Sequence, residues 1–150
     1  MLYNPPIILA VESSCDDTAA AVIKGRKILS NCIANQEVHI AYWGVVPELA
    51  SRAHQSKIVP VIQQALQKAN IDKKDLTAIA YTQGPGLLGS LLVGSAFAKS
   101  LSLALDIPLI PINHMQGHLL VHFIDDECIV TPTFPCLGVT RRSLTTMFWK

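Results

Sequence analysis

Charge is what this 150-residue sequence has little of: 15% of its residues are Asp, Glu, Lys or Arg, and the formal net charge is +1. A balance that close to zero gives no reason to expect broad electrostatic capture of nucleic acid, which would need a local patch or another subunit. Low-complexity runs are missing too, and half of the residues are hydrophobic. That composition argues against disorder and for one packed chain, burying roughly two-thirds of its unfolded surface. There are four cysteines, Cys15, Cys32, Cys128 and Cys136. No two form a C-x-x-C pair, which argues against a zinc ribbon or a disulfide scaffold and reads as cytosolic thiols. Met1 to Pro6 carries no basic region and the apolar run Ile7 to Val11 stops at Glu12, so a cytoplasmic chain without a signal peptide is expected. The run Leu87 to Leu105 approaches membrane-spanning length, but Lys99, serines and glycines interrupt it. A helix buried on all sides is expected there, with no membrane partner.

What is present reads as alternating strands and helices. Ile7 to Val11 suits a buried strand, Ala19 to Lys24 resumes an extended pattern, Gly25-Arg26-Lys27 supplies a turn, and Ile28 to Ala34 returns, giving a three-stranded meander. Asn35 to Gly44, with Trp43 near its end, reads as a connection. A helical pattern runs from about Pro47 to Asn70, with Ile58, Val61, Ile62, Ala65, Leu66 and Ala69 on one face. Pro60 should bend or divide it. Glu48, Arg52, His54 and Lys57 make a polar first half, read as solvated, with His54 free to face a partner. Thr77 to Thr82 is a buried strand, Gln83 to Gly86 a glycine-rich turn without P-loop spacing, and Leu87 to Leu105 the apolar helix. Along that helix Gly86, Ser90, Gly94, Ala98 and Ser102 recur every fourth residue. Such a stripe predicts close packing of another helix, within the chain or between chains. Leu109 to Ile112 is the next strand, and Thr131 to Val139 the last.

Two places carry candidate chemistry. The strand ending at Glu12 leads into Ser13-Ser14-Cys15-Asp16-Asp17-Thr18, with three carboxylates among hydroxyls. Such a loop could hold a divalent cation through Glu12, Asp16 and Asp17, as nucleases do, could face nucleotide phosphates with its backbone donors and hydroxyls, or could be a solvated turn. Cys15 has no neighbouring base in sequence to activate it as a nucleophile. The second place is Asn113-His114-Met115-Gln116-Gly117-His118. Asn113 is a good helix N-cap, and histidines four residues apart rise about 6 Å along one helical face, close enough to share a metal ion, although ordinary surface pairs have the same spacing. His122 lies about 12 Å from His114 along the axis and reads as solvent-facing.

The element order is that of a mixed α/β sheet of the ribonuclease-H-like type, the fold of actin-like ATPase domains, with flanking helices. That fold hosts nucleases and nucleotide users alike, so the motifs must decide. The segments ILAVESSCDDT (Ile8 to Thr18), GVVPELASRAH (Gly44 to His54), TQGPGLLG (Thr82 to Gly89) and NHMQGH (Asn113 to His118) together closely resemble the bacterial TsaD family over about residues 7 to 139. The resemblance implies transfer of threonylcarbamoyl from threonylcarbamoyl-adenylate to N6 of the adenosine next to the anticodon in tRNA, with threonylcarbamoyl-adenylate or ATP bound by the intact family enzyme. It implies one divalent metal, iron or zinc, held by His114 and His118 with an aspartate from a second domain. Glu12, Ser13, Asp16 and Asp17 become candidates for the nucleotide or substrate loop. A TsaB-like subunit and a TsaE-like ATPase become expected partners, with the Gly86 to Ser102 stripe as the interface.

The resemblance also sets the expected domain limits: an actin-like first domain over 1–131, the first strand of a second domain over 132–140, and an aberrant tail over 141–150. Family members continue with a Ser-Gly-Gly-His-Thr loop where this chain reads Arg141-Arg142-Ser143. If those codons are CGG, CGG and TCA, a one-base shift reads Gly-Gly-His, so a frameshift is one reading of the tail and an ordinary divergent C-terminus the other; weak metal binding and no turnover are expected of the 150-residue chain alone. A non-catalytic partner-binding module is the alternative from another class. A ribonuclease-H-like nuclease using Glu12, Asp16 and Asp17 is a third reading.

Overall fold

The computed structural model describes residues 4–34, 45–125, 130–139 and 146–149. The connection read over 35–44, the acidic residues Asp126 and Glu127, and the 140–145 stretch where the shift of frame was expected lie outside the described residues. Strands β1 (Ile7–Glu12), β2 (Thr18–Lys24) and β3 (Lys27–Ala34) form the expected meander, turned tightly at Gly25, whose φ of 61° is the left-handed value a glycine takes without strain. Helix α1 (Pro47–Ala69) crosses to β4 (Ala78–Gly84), helix α2 (Leu88–Leu105) crosses to β5 (Leu109–Asn113), and α3 (His114–Leu120) follows directly. The sheet order is β3-β2-β1-β4-β5, with β1 antiparallel to β2 and β2 to β3, while β1, β4 and β5 run parallel. This is the ribonuclease-H-like, actin-like arrangement: a meander continued by two right-sized helical crossovers.

The core lies between one sheet face and the two long helices. Leu9, Val11, Ala20, Val22, Cys32, Ile79 and Tyr81 meet Ile58, Val61, Ile62 and Ala65 of α1 and Ala98 of α2. Leu9 and Ile79 are fully buried, each stabilising the fold by about 1.5–3 kcal/mol relative to exposure. Asn70 ends α1 in the left-handed conformation, its N–H returning to the last carbonyls of the helix. Asp72 caps a short 3-10 turn over Lys73–Asp75.

Three expectations change. Helix α1 runs undivided through Pro60, because Pro60 and the Ser56 carbonyl that loses its partner sit on the exposed side, where water can serve it. Helix α2 is not buried on all sides: Ser90, Gly94 and Ala98 are buried, while Leu88, Leu92 and Leu103 are exposed. The last strand does not begin at Thr131 but is short, β6 (Cys136–Val139), since Pro132 and Pro135 lack ladder donors. It pairs antiparallel with β7 (Thr146–Trp149) in a separate two-stranded sheet.

Candidate metal and substrate site

Parallel pairing of β1, β4 and β5 brings their carboxyl ends to one edge of the sheet, where open α/β sheets form their crevices. Glu12 ends β1, Thr82 lies near the end of β4, and His114 begins α3 after β5. Asn113 fixes the start of α3, its side-chain oxygen accepting from the N–H groups of Met115 (2.9 Å) and Gln116 (3.2 Å). The helix then places His114 half-buried and His118 exposed one turn later.

The two imidazoles converge. His114 Nε2 and His118 Nε2 are 2.9 Å apart, with the rings edge to face. Two nitrogens bound to one tetrahedral ion at ordinary lengths stand about 3.3 Å apart, so the pair needs only a slight opening to hold one. Behind it, His114 Nδ1 lies 3.3 Å from Glu12 Oε2 and 3.2 Å from Ser14 Oγ. A carboxylate only accepts, so Nδ1 carries the proton and Nε2 faces His118 bare. Burial pushes the Glu12 carboxyl up, but bonds from Ser14 and Thr82 and the nearby His114 ring outweigh it and hold it below its ordinary value. Glu12 is therefore an anion at neutral pH, the form that orients a ligating histidine.

Of the carboxylates expected together, only Glu12 enters this cluster. Asp16 is half-buried and Asp17 exposed, and among the described residues no group of three His, Cys, Asp or Glu side chains could hold a metal. Glu12, Asp16 and Asp17 are thus not brought together as a carboxylate trio among the described residues. Ser13 turns inward, its hydroxyl donating to the Ser90 carbonyl at 2.8 Å. His122 is exposed, as expected.

In the small-residue stripe, expected as a partner surface, Ser90, Gly94 and Ala98 are buried within the chain and Ser102 is half-buried, while Gly86 is exposed. The loop after β1 uses the room the stripe leaves: a Cβ on Gly94 would overlap the Ser13 hydroxyl, and one on Gly86 the Ser14 carbonyl. Ser90 and Ala98 are wholly buried, and Ser102 donates to the Ile107 carbonyl at 2.6 Å. His54 is the largest departure. It is fully buried, bonded to Thr18 Oγ1 (2.7 Å) and the Cys15 carbonyl (3.1 Å), instead of solvated or facing a partner. Its signal was in the sequence: position 54 falls four residues after Ala50 and four before Ile58, both buried on the same stripe.

Fold and site together define a ribonuclease-H-like domain that carries a carboxylate-backed histidine pair at the carboxyl edge of its parallel strands. Residues 27–146 match the family described as TsaD, tRNA N6-adenosine threonylcarbamoyltransferase. The chain belongs to that family. It is 70% identical over 133 residues to the tRNA N6-adenosine threonylcarbamoyltransferase of Christiangramia forsetii, covering 89% of this chain and 39% of that relative. The enzyme of the same name from Riemerella anatipestifer is 62% identical over 134 residues, again 89% and 39%. The chain thus spans about two-fifths of the length of these curated relatives. Among solved structures it resembles YeaZ from Pseudomonas aeruginosa, with a TM-score of 0.58 at 17% identity over 72% of this chain and 43% of that one, a likeness of fold alone.

Proposed function

We propose that this chain supplies the first domain of a tRNA-modifying acyltransferase, which moves threonylcarbamoyl from threonylcarbamoyl-adenylate to N6 of the adenosine beside the anticodon. The observation that carries this reading is the convergence of His114 Nε2 and His118 Nε2 in front of an ionised Glu12, within a chain of the TsaD family. His114 and His118 would hold the divalent metal, iron or zinc, as two of its ligands. A metal bound there would supply Lewis-acid polarisation of the acyl group. The chain's own contribution is positional: Asn113 fixes where α3 starts, Glu12 keeps His114 in the tautomer that leaves Nε2 bare, and the Thr82 and Ser14 donors keep Glu12 ionised.

The test is a chimera in which residues 1–139 of this chain replace the matching part of the Christiangramia forsetii enzyme, supplied with TsaB-like and TsaE-like partner proteins, threonylcarbamoyl-adenylate and tRNA. Transfer is expected, with loss of at least about a hundredfold in the chimera carrying His114→Ala. A folded chimera without transfer, or one indifferent to that change, overturns the proposal.

A partner reading is favoured by the outer surface of the long helices. An open groove of about 650 Å³ runs between α1 and α2, lined by Ile58, Val59, Leu92, Val93 and Phe97 among others, with Val59 and Leu92 exposed. A TsaB-like subunit would dock on this face, and the TsaE-like ATPase would join the resulting assembly. Co-purification with a TsaB-like protein, lost in Leu92→Glu, is the expected result; binding indifferent to that change removes the surface from consideration.

A further inference from the structure

The loop between β1 and β2 is fastened at three successive residues. Ser13 Oγ donates to the Ser90 carbonyl, the Ser14 carbonyl accepts from Leu87 N at 2.7 Å, and the Cys15 carbonyl accepts from Ser90 Oγ at 3.0 Å and from the His54 ring at 3.1 Å. All but the last come from α2 and its leading turn. His54 differs because it reaches from α1 and bonds both ends of the loop, Cys15 through Nε2 and Thr18 through Nδ1. A carbonyl only accepts, so Nε2 carries the proton, and in the neutral ring Nδ1 accepts a hydrogen bond from the Thr18 hydroxyl.

Packing alone does not account for this side chain. His54 is 0% exposed on a stripe otherwise made of Ala, Ile and Val, where an aliphatic residue would bury more apolar surface and leave no ring nitrogens to satisfy. What the ring adds is a fixed distance across the loop. The loop in turn presents Ser14 and Glu12 to His114 Nδ1.

We propose that His54 is a positioning residue: by bridging the Cys15 carbonyl and the Thr18 hydroxyl, it holds Ser14 and Glu12 where they keep His114 in the Nδ1-protonated tautomer. This deepens the metal-site reading above, yet its consequence is present in the metal-free chain.

Nitrogen-15 NMR of the histidine rings in the metal-free 150-residue chain, above the pH range where imidazoles are charged, provides the test. The wild type should show His54 protonated at Nε2 and His114 at Nδ1. In His54→Leu the two ring nitrogens of His114 should move toward each other, the signature of mixed tautomers. His54→Gln, whose amide keeps a donor for the Cys15 carbonyl, should restore the separation. A folded His54→Leu with the His114 ring unchanged overturns the proposal, since a merely structural histidine would lower the unfolding temperature without touching that ring. If His54→Leu does not fold, Thr18→Val removes one of the two bonds at nearly constant volume; it should shift the His114 ring part of the way, and an unchanged ring again overturns the proposal. A parallel zinc titration of the chimera described above separates the two ideas. Coupled tautomers together with a folded chimera that takes up no zinc support this proposal and remove the metal reading, whereas zinc binding by the chimera with a His114 ring indifferent to residue 54 does the opposite.

Discussion

Two histidine regions lie on either side of the same loop, and they have opposite environments. His54 is enclosed by α1, α2 and the loop, with both nitrogens bonded to groups of the protein. His114 and His118 sit at the open edge of the sheet, where the inner nitrogen of His114 is bonded to the loop through Glu12 and Ser14, and its outer nitrogen meets only His118 Nε2, 2.9 Å away near solvent. The difference shows what makes a histidine a ligand: a nitrogen left without a fixed proton, aimed at a second donor and backed by a carboxylate. The same side chain with both nitrogens satisfied internally becomes a cross-brace.

That contrast can be broken from either side. The largest effect is expected from His118→Ala, which removes one of the two converging nitrogens. Zinc affinity measured by titration should fall about tenfold or more, to the level of a single exposed histidine, while the unfolding midpoint stays unchanged. A shift of the midpoint without a change in zinc binding would show that the open pair serves stability instead. Gly86→Ala attacks the enclosed side. The added methyl meets the Ser14 backbone, which cannot swing away as a side-chain tip can, so a loss of about 1–3 kcal/mol is expected in denaturant unfolding. A wild-type midpoint would mean that the loop has slack and the clamp is looser than the geometry shows. The smallest effect is expected from His122→Ala. His122 is exposed and lies outside both regions, so zinc titration and unfolding should both match the wild type.

Much of the fold was legible because its signals are local. The apolar run from Ile7 to Val11, the extended pattern from Ala19 to Lys24, the three-and-four spacing from Ile58 to Ala65, and the N-cap at Asn113 each depend on residues close to one another along the chain. The His114 and His118 spacing was legible for the same reason. His54 was misread because its neighbours Glu48, Arg52 and Lys57 are polar, although its own position continues the stripe of Ala50 and Ile58. The inward turn of the stripe at Ser90, Gly94 and Ala98 was half legible: small residues announced a close approach, and nothing in the spacing said that a loop, not a helix, would make it. The beginning of β6 was missed because Pro132 and Pro135 outweigh the apolar residues around them.

The sequence by itself determined the elements, the cap that starts α3, the pair of histidines one turn apart and membership of the TsaD family. Only the tertiary structure decided which carboxylate stands behind His114, which histidine is enclosed, and which face of α2 remains open. The reason is distance along the chain. Glu12 and His114 are 102 residues apart and meet because β1 and β5 both lie parallel to β4, ending at the same edge. A periodic pattern specifies which side of an element is apolar, but the partner across the sheet is chosen by the order in which the strands assemble.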